Sequence, residues 1–150
     1  MQQSPNGMTL KGYGDGQRPW LGFEEKARSR QYFRICTLNS LPVVSTPAEI
    51  DVDNSRQLTR LIVEASDDAP AVIVDMTATS YIDAACVGAL VCAYLRLEEQ
   101  SIELRVATSN AKTRWLLAEF GQDRLFRVFD TLPEAVTTRP KRWAFVRQAA

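Results

Sequence analysis

The sequence predicts an α/β domain with a mainly parallel sheet of four or five strands backed by helices. Three observations support this fold class. Short apolar runs alternate along the chain with longer segments whose apolar residues recur at helical spacing. The nearly continuous apolar run AVIVDM at 71–76 is typical of a strand covered on both faces. Strands that alternate with helices of this length favour right-handed βαβ crossovers.

The first predicted elements are a β-hairpin and a helix. Apolar and polar residues alternate over 32–38 (YFRICTL), residues 39–40 predict a turn, and Pro42–Ile50 predicts a second strand. Asn54 is predicted to cap the following helix with its side chain. From Leu58 onward, apolar residues recur at i, i+3, i+4 and i+7, which gives that helix one apolar face.

The remaining elements complete the predicted order β-β-α-β-α-β-α-β-α. After the strand at 71–76, the predicted elements are a helix at 84–100, a strand at 102–107, a helix at 110–120, a strand at 125–129 and a short final helix. Gly121 is predicted to end the helix at 110–120, and Thr131–Glu134 forms a capping box for the final helix.

Composition excludes several classes of protein. Apolar residues make up 45% of the 150, which favours a globular domain over a disordered chain. The chain has no His, which removes Ser-His and Cys-His catalysis and every His-based metal site. Its three Cys have no paired spacing, so we expect neither a disulfide framework nor a zinc site. No apolar run is long enough to span a membrane, and we expect a cytoplasmic protein without cofactor or metal.

Charge divides the chain into three parts. Residues 41–137 contain 8 basic and 15 acidic residues, a net charge of −7, whereas both ends are basic. We therefore expect a tail at 1–30 that is disordered or weakly docked, a domain at 31–138, and a basic tail at 139–150. The acidic middle favours a basic protein partner, and the zero net charge argues against a chain that is cationic throughout, although local basic patches remain open. We expect neither nucleic acid nor a membrane as the partner.

The stretch after the strand at 71–76 is where a ligand or partner is expected. In open parallel sheets, ligands usually bind at the carboxyl ends of the strands. Thr79, Ser80 and Asp83 follow this strand, and Asp83 can cap the helix that begins at Ala84. Asp83 also has a purely structural interpretation as an N-cap. Cys86 lies in the first turn, where a reactive thiolate is possible but a small packing residue is the simpler interpretation.

Four segments together resemble the STAS domain, and most of all the free-standing anti-sigma factor antagonists of actinobacterial type. Their order and spacing carry the resemblance more than any one of them does. The segments are LPVVSTPAEIDVDNSRQL at 41–58, VIVDMTATSYIDAACVGAL at 72–90, IELRVA at 102–107 with 115–120, and DRLFRVFDTLPEA at 123–135.

The resemblance implies a binding protein without enzyme chemistry. Members of the family bind an anti-sigma factor, commonly a Ser/Thr kinase, which phosphorylates a hydroxyl at the start of the helix that begins here at Ala84. The added charge then disrupts the complex. In this chain Asp83 matches the family aspartate, but Ala84 and Ala85 occupy the usual hydroxyl positions and Cys86 replaces a glycine. The resemblance therefore implies no phospho-acceptor at Ala85, and leaves Ser80 or Thr79 as displaced candidates.

We expect the partner surface to combine two segments. Asp51 matches the acidic residue that the family has after its second strand. The predicted partner-binding residues are Asp51, Asp53, Asn54, Ser80, Asp83, Ala84, Ala85, Cys86 and Val87. Three alternatives stay open: a scaffold that pairs with other STAS domains, a nucleotide-binding or other small-ligand-binding domain, and a redox sensor at Cys86. The sequence leaves both a monomer and a homodimer open.

Overall fold

The structure is a computed structural model, and it describes residues 32–120 and 124–140. The predicted tail at 1–30, most of the predicted tail at 139–150, and the predicted helix end at Gly121 lie outside the described residues. The elements in chain order are β1 (Arg34–Leu38), β2 (Leu41–Ser45), β3 (Glu49–Ile50), α1 (Ser55–Ser66), β4 (Ala71–Asp75), β5 (Tyr81–Ile82), α2 (Ala84–Glu98), β6 (Glu103–Ala107), α3 (Ala111–Glu119), β7 (Arg127–Phe129) and α4 (Leu132–Thr137).

The main sheet has five strands in the order β1-β2-β4-β6-β7. β1 and β2 form the predicted antiparallel hairpin, and the other neighbouring pairs are parallel. Asn39 and Ser40 in the hairpin turn both have positive φ angles, 53° and 65°, as a tight two-residue turn requires. The predicted α/β class and the mainly parallel sheet are therefore confirmed.

The second predicted strand, Pro42–Ile50, is wrong in extent. β2 ends at Ser45, and a separate short strand, β3, pairs in parallel with β5 in a second, two-stranded sheet. Pro47 lies at the break, and proline has no N–H with which to continue the ladder. Beyond it, the carbonyl of Ala48 accepts hydrogen bonds from the backbone N–H groups of Ser80 and Tyr81. The chain therefore leaves the main sheet and pairs with the segment that follows β4.

The predicted side-chain cap at Asn54 is also wrong. Asn54 directly precedes α1, but its side chain makes no capping hydrogen bond to that helix. Its Oδ1 instead accepts from the backbone N–H of Asp51 at 3.0 Å, and its Nδ2 donates to the carbonyl of Glu49 at 3.0 Å. The side chain thus braces the turn that leads into α1.

The helices cover both faces of the sheet and enclose two clusters of apolar side chains. The larger cluster contains Leu58 and Ile62 of α1, Leu90 and Leu97 of α2, and the strand side chains that face them. The smaller cluster lies under α4 on the opposite face. Across residues 32–120 and 124–140, no helix is long and apolar enough to cross a membrane.

Candidate functional site

The short sheet of β3 and β5 brings two distant segments of sequence together. Its parallel register pairs Glu49 with Tyr81 and Ile50 with Ile82. Asp51 and Asp83 each follow a residue of the second pair, so the turn before α1 and the first turn of α2 lie at the same end of this sheet. The sequence pattern placed both segments at one edge, and the register aligns them.

Asp83 is the N-cap of α2, as predicted. Its Oδ1 accepts hydrogen bonds from the backbone N–H of Ala85 at 2.9 Å and of Cys86 at 3.3 Å. These bonds satisfy two of the four N–H groups that every helix leaves unpaired at its start. The half-buried carboxylate also places a negative charge against the positive end of the helix dipole.

The turn at 51–54 presents acidic side chains while its backbone is held by internal hydrogen bonds. The side chain of Asp51 accepts from the N–H of Asp53 at 2.9 Å, and its carbonyl accepts from the N–H of Ser55 at 3.0 Å. Asp53 is exposed, whereas Asp51 and Asn54 are half-buried. The turn is therefore pre-organised, with the Asp53 carboxylate facing solvent.

The two displaced phospho-acceptor candidates have different environments. Thr79 is 3% exposed, and its hydroxyl is hydrogen-bonded to the carbonyl of Pro47 at 2.6 Å and to the hydroxyl of Thr46. The hydroxyl of Thr79 is therefore inaccessible to a kinase in this conformation, which argues against Thr79 as the phospho-acceptor. Ser80 is exposed, and its hydroxyl donates to the carbonyl of Ala48 at 3.3 Å. Only Ser80 of the two is available at the surface.

The first turn of α2 is divided between the surface and the core. Ala84 is exposed and Ala85 is half-buried, but Cys86 and Val87 are part of the larger apolar cluster. Cys86 and Val87 therefore cannot contact a partner directly, which corrects their assignment to the surface. Burial, and to a lesser extent the nearby Asp83 carboxylate, raise the pKa of the Cys86 thiol to about 12. A thiol with so high a pKa is protonated at neutral pH, which argues against the redox alternative at Cys86.

Two exposed apolar side chains, Val52 and Tyr81, belong to this surface but were missed in the sequence. Val52 is 72% exposed between the two aspartates of the turn, and Tyr81 is 52% exposed on β5. A single valine between polar residues has no periodicity that would mark it, and a strand of two residues is too short to show alternation. We call the Asp51–Asp83 surface the set Asp51, Val52, Asp53, Ser80, Tyr81, Asp83, Ala84 and Ala85.

This surface combines charged, polar and apolar side chains. It offers carboxylates, one exposed serine hydroxyl and two exposed apolar side chains, around a helix start with a neutral first turn. Across the described ranges, no group of three or more His, Cys, Asp or Glu side chains is arranged to hold a metal ion. A family model for the STAS domain matches residues 32–135, more than half of the chain. The chain belongs to the STAS domain family.

Relatives of this STAS chain carry the same fold and, in part, a related sequence. It is 29% identical over 100 residues to the anti-sigma-F factor antagonist RsfB of Mycobacterium tuberculosis, over 66% of this chain and 81% of that protein. The crystal structure of an anti-sigma factor antagonist from Mycobacterium paratuberculosis has a TM-score of 0.64 and 24% identity, covering 71% of this chain and 91% of that one. The phosphorylated form of the Bacillus cell fate determinant SpoIIAA has a TM-score of 0.55 and 18% identity, with 70% and 96% coverage. The predicted STAS fold is confirmed.

Proposed function

We propose that this protein is an anti-sigma factor antagonist that acts in the cytoplasm by binding an anti-sigma factor through the Asp51–Asp83 surface. We further propose that phosphorylation at the start of α2 does not release this complex. The family membership and the similarity to RsfB, which is itself named an anti-sigma-F factor antagonist, support the first part.

The residues in the first turn of α2 support the proposal that phosphorylation does not release the complex. Asp83 caps the helix, and the next two residues, Ala84 and Ala85, have no hydroxyl to which phosphate could be transferred. Their small neutral side chains match the uncharged state in which the family binds its partner. A phosphate would bring a charge of roughly −2 to this turn, and this chain has no acceptor there.

Charge indicates the kind of partner surface. Asp51, Asp53 and Asp83 lie together at one end of the short sheet, and Glu49 is exposed beside them. A basic patch on the anti-sigma factor would complement these carboxylates. Val52 and Tyr81 would supply the apolar contacts that charged groups alone do not provide.

The test combines binding with phosphate transfer. The full chain is incubated with the anti-sigma factor of its own cell and ATP, and both complex and incorporated phosphate are measured. We expect a stable complex and no phosphate on the wild-type chain. The Ala85→Ser variant is the matched control, because it restores the hydroxyl and becomes phosphorylated when the partner is a kinase. Stoichiometric phosphate on Ser80 would show that the chain has a phosphorylation switch after all. Absence of any complex would overturn the proposed function.

A charge in the first turn of α2 should weaken the complex. Ala85→Asp introduces a carboxylate into the Asp51–Asp83 surface, where it repels the neighbouring acids and does not complement a partner suited to a neutral turn. We expect a loss of affinity of at least about tenfold, which corresponds to roughly 1.4 kcal/mol. The free energy of unfolding should change little, since a negative charge in a first helical turn is favoured by the dipole. Calorimetric titration measures the affinity, and unchanged binding would place the interface elsewhere.

A further inference from the structure

The strands β2 and β4 both end before they reach the Asp51–Asp83 surface. Their last residue pair is Ser45 and Asp75, and the short β3–β5 sheet begins only several residues later along each segment. The irregular connections between the two sheets are residues 46–48 and residues 76–80. Because two short strands alone are at best marginally stable in water, the arrangement of the surface depends on how these two connections are held together.

Two buried threonine hydroxyls join the connections. Thr46 is 2% exposed and Thr79 is 3% exposed, and their Oγ1 atoms are hydrogen-bonded to each other. The Oγ1 of Thr79 also lies 2.6 Å from the carbonyl oxygen of Pro47, and that of Thr46 lies 3.2 Å from the carbonyl oxygen of Asp75. Buried polar groups that have lost water need partners within the fold, so removal of one hydroxyl leaves another group unsatisfied. We call Thr46 and Thr79 the threonine pair.

Each threonine hydroxyl has a single proton, and this fixes the direction of the network. The 2.6 Å contact with the Pro47 carbonyl needs a proton, which the Thr79 hydroxyl supplies because a carbonyl has none. The Thr46 proton then goes to the oxygen of Thr79, since the carbonyl of Asp75 already accepts from the backbone N–H of Thr46 at 3.0 Å. The order from Thr46 through Thr79 to Pro47 makes Thr79 the residue that ties the two connections together.

We propose that the threonine pair positions the Asp51–Asp83 surface, because its hydroxyl bond closes the two segments of that surface against each other. Next to the pair, the carbonyl of Ala48 accepts from the backbone N–H groups of Ser80 at 2.8 Å and Tyr81 at 3.2 Å, and these bonds continue the closure into β3 and β5. A partner that contacts both segments binds more tightly when their spacing is fixed in advance. This effect on binding rests on the proposed function, whereas the closure itself does not.

Hydrogen exchange in the free chain tests the closure. Thr79→Val keeps nearly the same side-chain shape but cannot donate a hydrogen bond, so the carbonyl of Pro47 loses its donor. We expect the amide hydrogens of Ser80 and Tyr81 to lose protection at least about tenfold in this variant, measured by NMR, because local opening no longer breaks the hydroxyl bond. The amides of β4 should keep their protection. Thr79→Ser retains the hydroxyl and should keep both amides protected.

Partner binding by the same variants tests the positioning role. When a complex forms only from the closed arrangement, the apparent Kd rises in inverse proportion to the closed fraction. We expect Thr79→Val to raise the Kd for the anti-sigma factor at least about threefold, and Thr79→Ser to bind like the wild type. Ile73→Val is the matched control, because it shortens a buried side chain of β4 and lowers the melting temperature without opening the two segments. This control should leave the Kd unchanged.

The exchange and binding results overturn different claims. Full protection of Ser80 and Tyr81 in Thr79→Val would show that the hydroxyls do not close the segments. Lost protection with an unchanged Kd, or an equal rise of the Kd in Thr79→Val and Ile73→Val, would overturn the positioning role. A wild-type chain that forms no complex would overturn the proposed function, and the exchange measurement would still decide whether the threonine pair closes the two segments.

Discussion

Asp83 has a structural role and, in the proposed function, a binding role as well. Its carboxylate caps α2 through two backbone N–H groups, and it is also one of the three aspartates of the Asp51–Asp83 surface. Because asparagine caps helices about as well as aspartate, the two roles can be separated by substitution. The cap depends on an oxygen at this position, whereas complementarity to a basic partner depends on the charge.

Substitutions of Asp83 should therefore divide stability from binding. Asp83→Ala loses the cap and should lower the free energy of unfolding by about 1 kcal/mol. Asp83→Asn keeps the oxygen and should lower it by no more than about 0.5 kcal/mol, while it weakens partner binding as much as the alanine variant does. Urea unfolding and calorimetric titration measure the two effects. Equal loss of stability in both variants would contradict the capping role.

Cys86 makes the stability of the fold depend on alkaline pH. Its pKa is raised from 9.0 to about 12 in the folded state, chiefly by burial. Above pH 9 the unfolded chain loses this proton and the folded chain retains it, so stability is complete below pH 9 and declines as pH rises toward 12. The decline is about 1.4 kcal/mol per pH unit, or roughly 2 kcal/mol by pH 10.5.

Urea unfolding at pH 8.0 and pH 10.5 measures this decline. Cys86→Ala is the control, because other groups also titrate in this range and only the thiol is removed. We expect the wild type to lose about 2 kcal/mol more than the alanine variant between the two pH values. Equal losses would show that the thiol is not desolvated as the fold requires.

At the scale of the elements, β6 differs most from its sequence pattern. The alternation in IELRVA is typical of a strand with one polar side, but that side is not exposed here, because every residue of Glu103–Ala107 is buried. The cause is α4, which packs over the face that carries Glu103 and Arg105. The guanidinium of Arg105 donates to the carbonyl of Ala135 in α4 and forms an ion pair with Glu103 at 3.2 Å. Arg127 on β7 reaches the other carboxylate oxygen at 3.0 Å.

The buried ion cluster of Glu103, Arg105 and Arg127 does not satisfy every charge and hydrogen-bonding group in it. Burial lowers the pKa of Arg105, and its Nε has no hydrogen-bond partner among the described residues. The ring of Phe129 lies 5.9 Å from the Arg105 guanidinium and 5.3 Å from that of Arg127, which offers both cations a favourable aromatic face. Glu103 is thus the carboxylate that forms ion pairs with both arginines.

Removal of the Glu103 charge should destabilise the protein strongly. Glu103→Gln leaves Arg105 buried without its counter-charge, and breaking a buried ion pair in this way costs about 3 kcal/mol or more. Glu64→Gln, at an exposed position on α1, removes the same charge and should change stability by less than about 0.5 kcal/mol. Urea unfolding compares the two variants. Similar stabilities would mean that Glu103 does not hold the α4 layer.

At the scale of the whole molecule, the three aspartates of the Asp51–Asp83 surface lie at one edge of the fold. Asp51, Asp53 and Asp83 gather at the end of the β3–β5 sheet, beyond the carboxyl ends of β2 and β4. This clustering of negative charge is a property of the folded chain, because the three aspartates lie up to 32 positions apart in the sequence. In the proposed function, this field would steer a basic partner toward the edge and raise the rate of encounter.

The rate of association with the anti-sigma factor should therefore depend on salt. We expect the association rate constant to fall at least about threefold between 50 mM and 500 mM NaCl, since exposed charges are screened within a Debye length. Asp53→Asn should lower the rate at low salt. Glu119→Gln, at the C-terminal end of α3 and outside the Asp51–Asp83 surface, should leave the rate unchanged. A rate independent of salt in stopped-flow measurements would contradict electrostatic steering.

Local sequence patterns were sufficient for much of this fold. The hairpin, the β-branched run that becomes β4, the apolar face of α1 and the caps at Asp83 and Thr131 were all predicted. Each depends on residues a few positions apart. The predictions for the length of the second strand and for the surface role of Cys86 and Val87 failed, because both outcomes depend on contacts with distant parts of the chain. The predicted cap at Asn54 failed for a local reason, since its side chain bonds to the backbone of Asp51 and Glu49 instead of to the helix.

The sequence by itself determined the α/β class, the family and the absence of a hydroxyl in the first turn of α2, because composition, periodicity and residue identity are local properties. The tertiary structure alone decided that β3 pairs with β5, that Thr79 is enclosed while Ser80 is exposed, and that Val52 and Tyr81 join the aspartates at one surface. It also decided that Arg105 lies buried under α4. Burial and register arise from hydrogen bonds and packing between segments about 30 residues apart, and no window of neighbouring residues contains that information.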